Sequence, residues 1–312
     1  MSSHDLKTNF RKVSHLGNEW RNLLNHTPDI LPFLSYEWFD SYYKNILESE
    51  PEIMVFSKNG NIVGIIPGVI ENQTFMLLGD SRITDINDII YLPGFEEDII
   101  KGFSSYITNE GLHIDLFPVK EDSILIKLLP GFLEDLSIDK ADLSPILTLS
   151  SSWDKYLKGL SGKARHELRR KLRKAKEVYI KNLTPNQVEI LFQLMSDSDS
   201  NKRDFLSLEI RNFFREITKL FFDKKWLRLQ AAFLKNHPIG VLFAFQSKKH
   251  VYLYNTGYNP DFHFLSPGIV TIGLDIRDAI EEGFNYYDFL RGGEDFKFQF
   301  GAKERYTMRI TG

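Results

Sequence analysis

Two groups of short β-forming segments, one in each half of the chain, constrain the fold most strongly. The first group lies in PEIMVFSKNGNIVGIIPGVIENQTFMLLG, residues 51–79, and the second comprises LRLQAAFLK, HPIGVLFAFQS and KHVYLYNTGY within residues 227–258. Asn59-Gly60, between the first two segments, is the strongest short signal for a β-hairpin. Both groups therefore predict antiparallel strands.

Each group is followed by a helical pattern and then by another strand. A helix over 98–109 ends at Gly111 and precedes LHIDLFPV, and a helix in IVTIGLDIRDAIEEG ends at Gly283 and precedes NYYDFLRGG. A further helix is expected over 38–46. The shared order predicts an α/β (α+β) protein with two copies of one fold, each a mixed, mostly antiparallel sheet flanked by helices.

Length and composition agree with two cores. The chain has 312 residues, of which 42% are hydrophobic, and this is more than one compact domain usually contains. A serine cluster at 147–153 precedes a new helix, which Ser152 is expected to cap. We predict an N-terminal domain at 1–150 and a C-terminal domain at 151–312.

Composition excludes several classes of function. The chain has no cysteine, which rules out disulfides, thiolate nucleophiles and thiolate metal sites. Its 39 basic and 42 acidic residues give a formal charge of -3, so no overall field attracts nucleic acid or anionic membrane. The N-terminus lacks the apolar core of a signal peptide, and no stretch is long enough to span a bilayer. A cytoplasmic protein is expected.

The most unusual local composition belongs to an amphipathic helix predicted over 160–179. Eight of the fourteen residues from Lys163 to Lys176 are Lys or Arg, which is enough charge to bind the phosphates of a nucleic acid or a nucleotide-bearing substrate. A solvated helix face is the alternative, and aromatic residues for base stacking are missing. Helical patterns follow over 184–222, with a loop expected at SDSDSNKRDF.

The turn before the second long helix is a candidate anion site. Ser266 is placed to cap the helix, Pro267 suits its first turn and Gly268 removes side-chain obstruction. Free amides at a helix start can bind a pyrophosphate. An ordinary capped helix is the alternative interpretation.

A second candidate site lies in YDFLRGGEDFK, residues 287–297. Asp288 falls within an apolar strand, where a carboxylate is costly unless it is paired or used. Arg291 or Lys297 could provide a structural ion pair, and a catalytic role for Asp288 is the alternative. The eight histidines show no i, i+4 pairing for a metal, and no nucleophile elbow, Walker loop or Rossmann glycine signature occurs in its required context.

Three stretches together resemble a known family. LSGKARHELRRKLRKA, YLYNTGYNPDFHFLSPGIVTI and YYDFLRGGEDFKFQFGA are similar to the CelD-like and FemAB-like branch of the GNAT superfamily of N-acyltransferases. The resemblance implies two GNAT-like domains, the first degenerate and the second binding the acyl donor.

The resemblance also implies a donor site. The strand ending at Tyr258 would meet the pantetheine arm of acetyl-CoA or another acyl-CoA, and the turn with Ser266, Gly268, Ile269 and Val270 would hold the pyrophosphate, with no metal. The usual Q/R-x-x-G-x-G/A loop of the superfamily is replaced here by HFLSPG.

The mechanism implied is direct attack of a neutral amine on the thioester. Asp288 or Glu294 would be the base or would position the amine, and Tyr258 would protonate the thiolate. Anionic parts of the acceptor would be held by Arg291 and Lys297, and its phosphates by Arg165 and Arg169.

The function implied is transfer of an acyl group from acyl-CoA to an amine such as an amino sugar or amino acid, in cell-surface polysaccharide synthesis. One alternative is a FemAB-like transferase that takes an aminoacyl group from tRNA, for which the basic helix would bind RNA. Others are a non-catalytic binding module with the same fold and a nucleic-acid-binding protein, against which the net acidity argues.

Overall fold

A computed structural model describes residues 6–27, 31–79 and 81–312. The chain forms two compact units, one extending up to Leu143 and including Arg305–Gly312, the other Ser144–Glu304. The predicted division at 150 differs from this in two places. Residues 144–150 belong to the second unit because they carry its edge strand, and the last eight residues pair with strands of the first unit.

The first unit contains nine strands and four helices among the described residues, numbered here along the whole chain. They are β1 (Lys7–Lys12), α1 (Gly17–His26), α2 (Tyr36–Ile46), β2 (Glu52–Lys58), β3 (Asn61–Ile66), β4 (Gly68–Glu71), β5 (Thr74–Leu77), β6 (Ile90–Tyr91), α3 (Glu96–Glu110), β7 (His113–Lys120), α4 (Ile124–Leu128), β8 (Ser137–Leu143) and the C-terminal β15 (Tyr306–Thr311), with β9 in the second unit.

Two sheets make up this unit, in the orders β1-β2-β3-β6 and β4-β5-β7-β15-β8. The β2–β3 hairpin is confirmed, with Asn59 and Gly60 at φ 54° and 82°, the positive values that a two-residue turn of this kind requires. The predicted helices are also confirmed. Ser35 Oγ accepts from Trp38 N at 3.2 Å and so caps α2, and Gly111 ends α3 in the left-handed region.

The second unit has one six-stranded sheet in the order β10-β11-β12-β13-β14-β9. Its elements are β9 (Ile146–Thr148), α5 (Trp153–Gly159), α6 (Gly162–Lys174), β10 (Val178–Asn182), α7 (Glu189–Ser198), α8 (Ser200–Phe205), α9 (Leu208–Asp223), β11 (Leu227–Leu234), β12 (His237–Ser247), β13 (His250–Tyr258), α10 (Pro267–Glu281), β14 (Tyr286–Asp288) and α11 (Asp295–Gln299). All pairs are antiparallel except β13–β14. The predicted α/β class with mostly antiparallel sheets is confirmed.

Helices cover both faces of this sheet, and two glycines allow their close approach. A Cβ on Gly257 would lie 2.4 Å from the backbone of Leu194 in α7, and one on Gly240 would lie 2.4 Å from Thr271 Oγ1 in α10. Gly240 is opposite Tyr258 and Gly257 is opposite Val241, so the two glycines face opposite sides of the sheet. Therefore α7 and α10 pack on opposite faces.

Several predicted boundaries in this unit were wrong. The basic helix α6 ends at Lys174, and Tyr179 lies in β10, paired with Phe233 of β11. SDSDSNKRDF is helical rather than a loop, because Asp199 caps α8 by accepting from Asn201 N at 2.7 Å. The cap expected at Ser152 is confirmed, with Lys155 N as its donor.

Candidate active site

The parallel strands β13 and β14 separate after a short contact. They pair only from His250 to Tyr252 and from Tyr286 to Asp288. Strand β14 ends at Asp288, whereas β13 continues to Tyr258. Among the described residues, no strand therefore lies beside the edge of β13 from Leu253 onward, and we call this gap the strand opening.

Main-chain groups of β13 point into the strand opening. Asn259 N donates to Ile239 O at 2.9 Å, so these two residues form a hydrogen-bonded pair. In an antiparallel ladder such pairs recur every second residue, and the next one along β13 is Gly257 with Val241. Thr256, opposite Leu242, and Tyr258, opposite Gly240, then fall in the alternate positions. Their N–H and C=O groups face away from β12, toward the opening.

The N-terminus of α10 lies beside the end of β13. Ser266 precedes it in the left-handed region, at φ 53°, and its side chain makes no capping hydrogen bond; the cap predicted from the sequence was wrong in this respect. Val270 N bonds Ser266 O, while Pro267 has no N–H. The first turn contains no acidic residue, so no carboxylate of this turn competes for the Gly268 and Ile269 amides.

Space is available in front of these amides. A Cβ on Gly268 would meet only the ring of Tyr258, with Cδ1 at 3.6 Å. Tyr258 is 37% exposed and Phe264, in the preceding turn, is 50% exposed. The residues predicted to bind the donor, from Tyr258 to Val270, are thus close together around one helix start.

Asp288 lies at the end of β14 and is 1% exposed. Its Oδ1 accepts from Leu290 N at 2.9 Å, and Leu290 has a φ of 54°, which is uncommon for a residue with a branched side chain. This bond fixes the sharp turn that leaves the strand. The backbone there is consequently held in place just beyond the strand opening.

Lys297 holds the same turn and is not available to a ligand. It is 3% exposed, and its Nζ donates to Arg291 O at 2.8 Å and Gly292 O at 2.9 Å, with Leu290 O at 3.4 Å. Glu294 Oε2 lies 2.9 Å from the same nitrogen. An ammonium has three donors, so Lys297 is fully used. It pairs with Glu294, not with Asp288 as one sequence interpretation had it.

Residues 162–298, from the start of α6 into α11, match the family described as acetyltransferase (GNAT) domain. This segment, less than half of the chain, is similar to that acetyltransferase domain. The similarity to GNAT acyltransferases found in the sequence is thereby confirmed for this segment. None of the curated proteins matches the chain significantly.

Solved structures share this fold over most of their length. FemX has a TM-score of 0.67 at 10% identity, covering 97% of this chain and 96% of its own. A conserved protein of unknown function from Bacteroides thetaiotaomicron has 0.62 at 11%, covering 98% and 99%. L-PGS from Bacillus licheniformis has 0.56 at 10%, covering 81% and 82%. Identity this low shows the fold alone.

The basic helix α6 of the GNAT domain lies along a cavity of about 660 Å³. The cavity is lined by Leu168 and Lys171 of α6, Ile269 of α10, and Phe298 and Phe300 at α11, among others. The two arginines predicted to bind substrate phosphates do not line it. Arg165 donates to Lys158 O at 3.3 Å and Arg169 is exposed, so their role stays a prediction.

Part of the charge on α6 is compensated within the helix. Glu167 makes two 2.8 Å hydrogen bonds with Arg170 and lies 3.5 Å from Lys171 Nζ. The hydrogen bonds from Arg170 lower the pKa of Glu167 to about 2. This part of the helix behaves as a solvated, internally paired face, as the alternative interpretation proposed.

A buried network behind β14 was not predicted. Arg228 of β11 contacts Asp275 of α10 at 2.5 Å and Glu282 at 2.7 Å, and Tyr287 of β14 donates to Asp275 at 2.7 Å. Burial and the neighbouring carboxylate raise the pKa of Tyr287 well above its usual value. The network fixes β14 against α10, the two elements that border the strand opening.

Lys202 of α8 was also missed. Its Nζ donates to Thr256 O at 2.6 Å, on the open edge of β13. The sequence offers no signal for it, since SDSDSNKRDF is a polar run in which one lysine resembles any other.

Proposed function

We propose that this protein is an N-acyltransferase that moves an acyl group from an acyl-CoA such as acetyl-CoA to the amine of a small molecule. The observation that carries the proposal is the strand opening, with the acid-free start of α10 beside it. An amino sugar or an amino acid is the acceptor we expect, with a cytoplasmic role in cell-surface polysaccharide synthesis. Among the described residues, none of the helices has both the length and the hydropathy of a membrane span.

The donor fits the opening by its chemistry. An extended arm with amide groups can pair with a free strand edge as an added strand does, and Thr256 and Tyr258 present main-chain groups there. A pyrophosphate suits the amides of Gly268 and Ile269 at the helix start. The thioester would then lie between β13 and the end of β14.

The reaction needs one proton acceptor and one proton donor. The amine nitrogen forms a bond to the thioester carbon, the C–S bond breaks, a proton leaves the nitrogen and the thiolate takes up a proton. Glu294, with a side chain 57% exposed, can reach a substrate, whereas Asp288 is buried and bonded to Leu290 N. We therefore assign the base to Glu294, a positioning role to Asp288, and the proton donor to the Tyr258 hydroxyl.

Calorimetry with acetyl-CoA tests the donor. The variant Gly268→Trp fills the space beside Tyr258 and should abolish binding. Gly159→Trp is the matched control, because a Cβ there meets nothing within 4 Å, and it should bind as the wild type does. Equal binding by both variants would contradict the proposed site. A wild type that binds acetyl-CoA but acylates no amine would point to a non-catalytic module.

A tRNA-dependent transferase is the second candidate, favoured by α6. Lys174 of this helix lies 5.8 Å from the ring centre of Phe264, in the turn before α10, so basic charge adjoins the proposed donor site. A chain that binds RNA through many phosphates loses affinity steeply as salt rises. Binding of a tRNA at two salt concentrations separates this candidate from the acyl-CoA enzyme.

A further inference from the structure

The ammonium group of Lys202 is unusual for its setting. It lies at the strand opening, where it donates to Thr256 O at 2.6 Å and has Thr256 Oγ1 at 3.5 Å. Its burial lowers the pKa of the ammonium, an effect that the charges of Asp199 and Glu294 offset in part. Within residues 6–27, 31–79 and 81–312, no carboxylate forms an ion pair with it.

Such a group favours an added anion. A largely buried charge is costly unless it is paired, and an ammonium has three donors, of which Thr256 O takes one with good geometry. Lys297, the other lysine acting on it through charge, has all its donors engaged by the turn after β14. Lys202 therefore retains binding capacity at the strand opening, and Lys297 does not.

A carboxylate for an amine follows the turn after β14. Glu294 is paired with Lys297 at 2.9 Å, but its side chain is 57% exposed, and its charge acts on Lys202. A ligand with an ammonium and a carboxylate would place the ammonium against the exposed Glu294 carboxylate and the carboxylate against the Lys202 ammonium. An amine without a carboxylate would leave the Lys202 ammonium unpaired.

We infer that Lys202 binds the carboxylate of the acceptor, and that the acceptor is an amino acid or the amino-acid end of a peptide. This rests on the proposed function, because it assigns the strand opening to acyl transfer. The amino group would face Glu294, and the carboxylate would accept hydrogen bonds from the donors of Lys202 that do not bond Thr256 O. An amino sugar lacks the group that Lys202 would bind.

The test compares matched amines with acetyl-CoA as donor and the release of free thiol as readout. The pairs are L-alanine with ethylamine and L-lysine with cadaverine, and D-glucosamine is added. We expect kcat/KM for each amino acid to exceed that of its decarboxylated partner by about tenfold to a hundredfold, the range for a hydrogen-bonded charge. Lys202→Met should remove most of this preference, chiefly through KM, and Lys202→Arg should keep part of it.

Arg203→Met is the control variant. It removes the same charge from the same helix, but the hydrogen bonds of Arg203 go to Ser196 O, and it should keep the preference of the wild type. An unchanged preference in Lys202→Met would overturn the inference, since Lys202 would then only attach α8 to β13. The inference would also be overturned if the wild type acylated glucosamine or the decarboxylated amines as efficiently as the amino acids, or if it acylated neither amino acid.

Calorimetry with acetyl-CoA distinguishes the two failures. If the wild type binds acetyl-CoA and acylates amines without a carboxylate, the proposed function stands and the inference fails. If the folded wild type binds no acetyl-CoA, the proposed function fails, and the inference is overturned with it.

Discussion

Each unit contains one parallel strand pair in an otherwise antiparallel arrangement, and the two pairs are completed differently. In the first unit β5 and β7 pair over three residues, and the chain itself then fills the space beside β7. Asn87 N donates to Pro118 O at 2.7 Å and Asn87 O accepts from Lys120 N at 3.1 Å. In the second unit, no such segment of the part of the chain that the structure describes lies along the corresponding edge, on β13 beyond Tyr252.

The helices that connect the two parallel strand pairs, α3 and α10, differ in the charge of their first turns. The first turn of α3 contains Glu96, Glu97 and Asp98, which satisfy the positive end of the helix dipole and repel anions. The first turn of α10 contains no acid. The first unit thus supplies from its own chain both a paired segment at Asn87 and the negative charge at a helix start. The described part of the second unit has neither at the corresponding positions, which is why we assign ligand binding to the second unit.

The largest expected effect comes from the network that holds β14 beside the strand opening. Arg228→Met leaves Asp275 buried without its cation, and removal of one partner of a buried ion pair costs about 3 to 5 kcal/mol. Urea unfolding should show this loss. Arg277→Met, which removes an exposed arginine paired with Asp278, should change stability by less than about 1 kcal/mol. Similar losses in both variants would show that the network is unimportant.

The second effect concerns the segment with Asn87 and Asp88, which lies beside β7 in the first unit and which we call the closing segment. Burial raises the pKa of Asp88 to about 6, above its value in an unfolded chain, so the folded protein binds this proton more tightly. Stability from this group is present below about pH 4 and is lost as the pH rises through 6, by about 3 kcal/mol in all.

Asp88→Asn should not show this loss, because an amide does not bind or release a proton in this pH range. Its oxygen can still accept from Ser123 Oγ and Ile89 N, as Asp88 Oδ1 does. Unfolding of both proteins in urea at pH 4.5 and pH 7.5 measures the difference. A parallel pH dependence in the variant and the wild type would show that Asp88 has an ordinary pKa.

A third effect tests whether the closing segment contributes to the stability of the protein but not to its affinity for acetyl-CoA. Asn87 is 1% exposed; its side chain donates to Leu78 O at 3.0 Å and accepts from Asp88 N at 2.9 Å. Asn87→Ala leaves the buried Leu78 O and the partly buried Asp88 N without their side-chain partner, at about 1 to 3 kcal/mol. Acetyl-CoA affinity should stay that of the wild type, and a fall in affinity beyond that caused by unfolding would contradict our assignment to the second unit.

Local signals explain what the sequence could predict. Asn59-Gly60 specifies its hairpin by backbone preference alone, and Pro267-Gly268 marks a helix start for the same reason. Non-local pairing explains the rest. Nothing near residue 305 shows that the last strand pairs with β7 and β8, and nothing near Lys297 shows which carbonyls it will bind.

The candidate site divides in the same way. The residues from Tyr258 to Val270 are neighbours in the sequence and were predicted together, whereas Lys202 reaches the opening through a helix that looked like a loop. Its cap, Asp199, is one acid in a run of polar residues. Only the position of α8 against β13 gives Lys202 its significance.

The smallest expected effect would make the second unit resemble the first. Gly268→Asp adds a carboxylate to the first turn of α10, as Glu96 does in α3, and Gly268→Asn adds nearly the same volume without charge. A carboxylate there stabilises the helix by about 0.3 to 1 kcal/mol but repels a bound pyrophosphate, so acetyl-CoA affinity should fall by about tenfold relative to Gly268→Asn at low salt. The difference should shrink as salt screens the charge. If both variants bind acetyl-CoA equally, the phosphates lie elsewhere, and the absence of acids from this helix start has no role in donor binding.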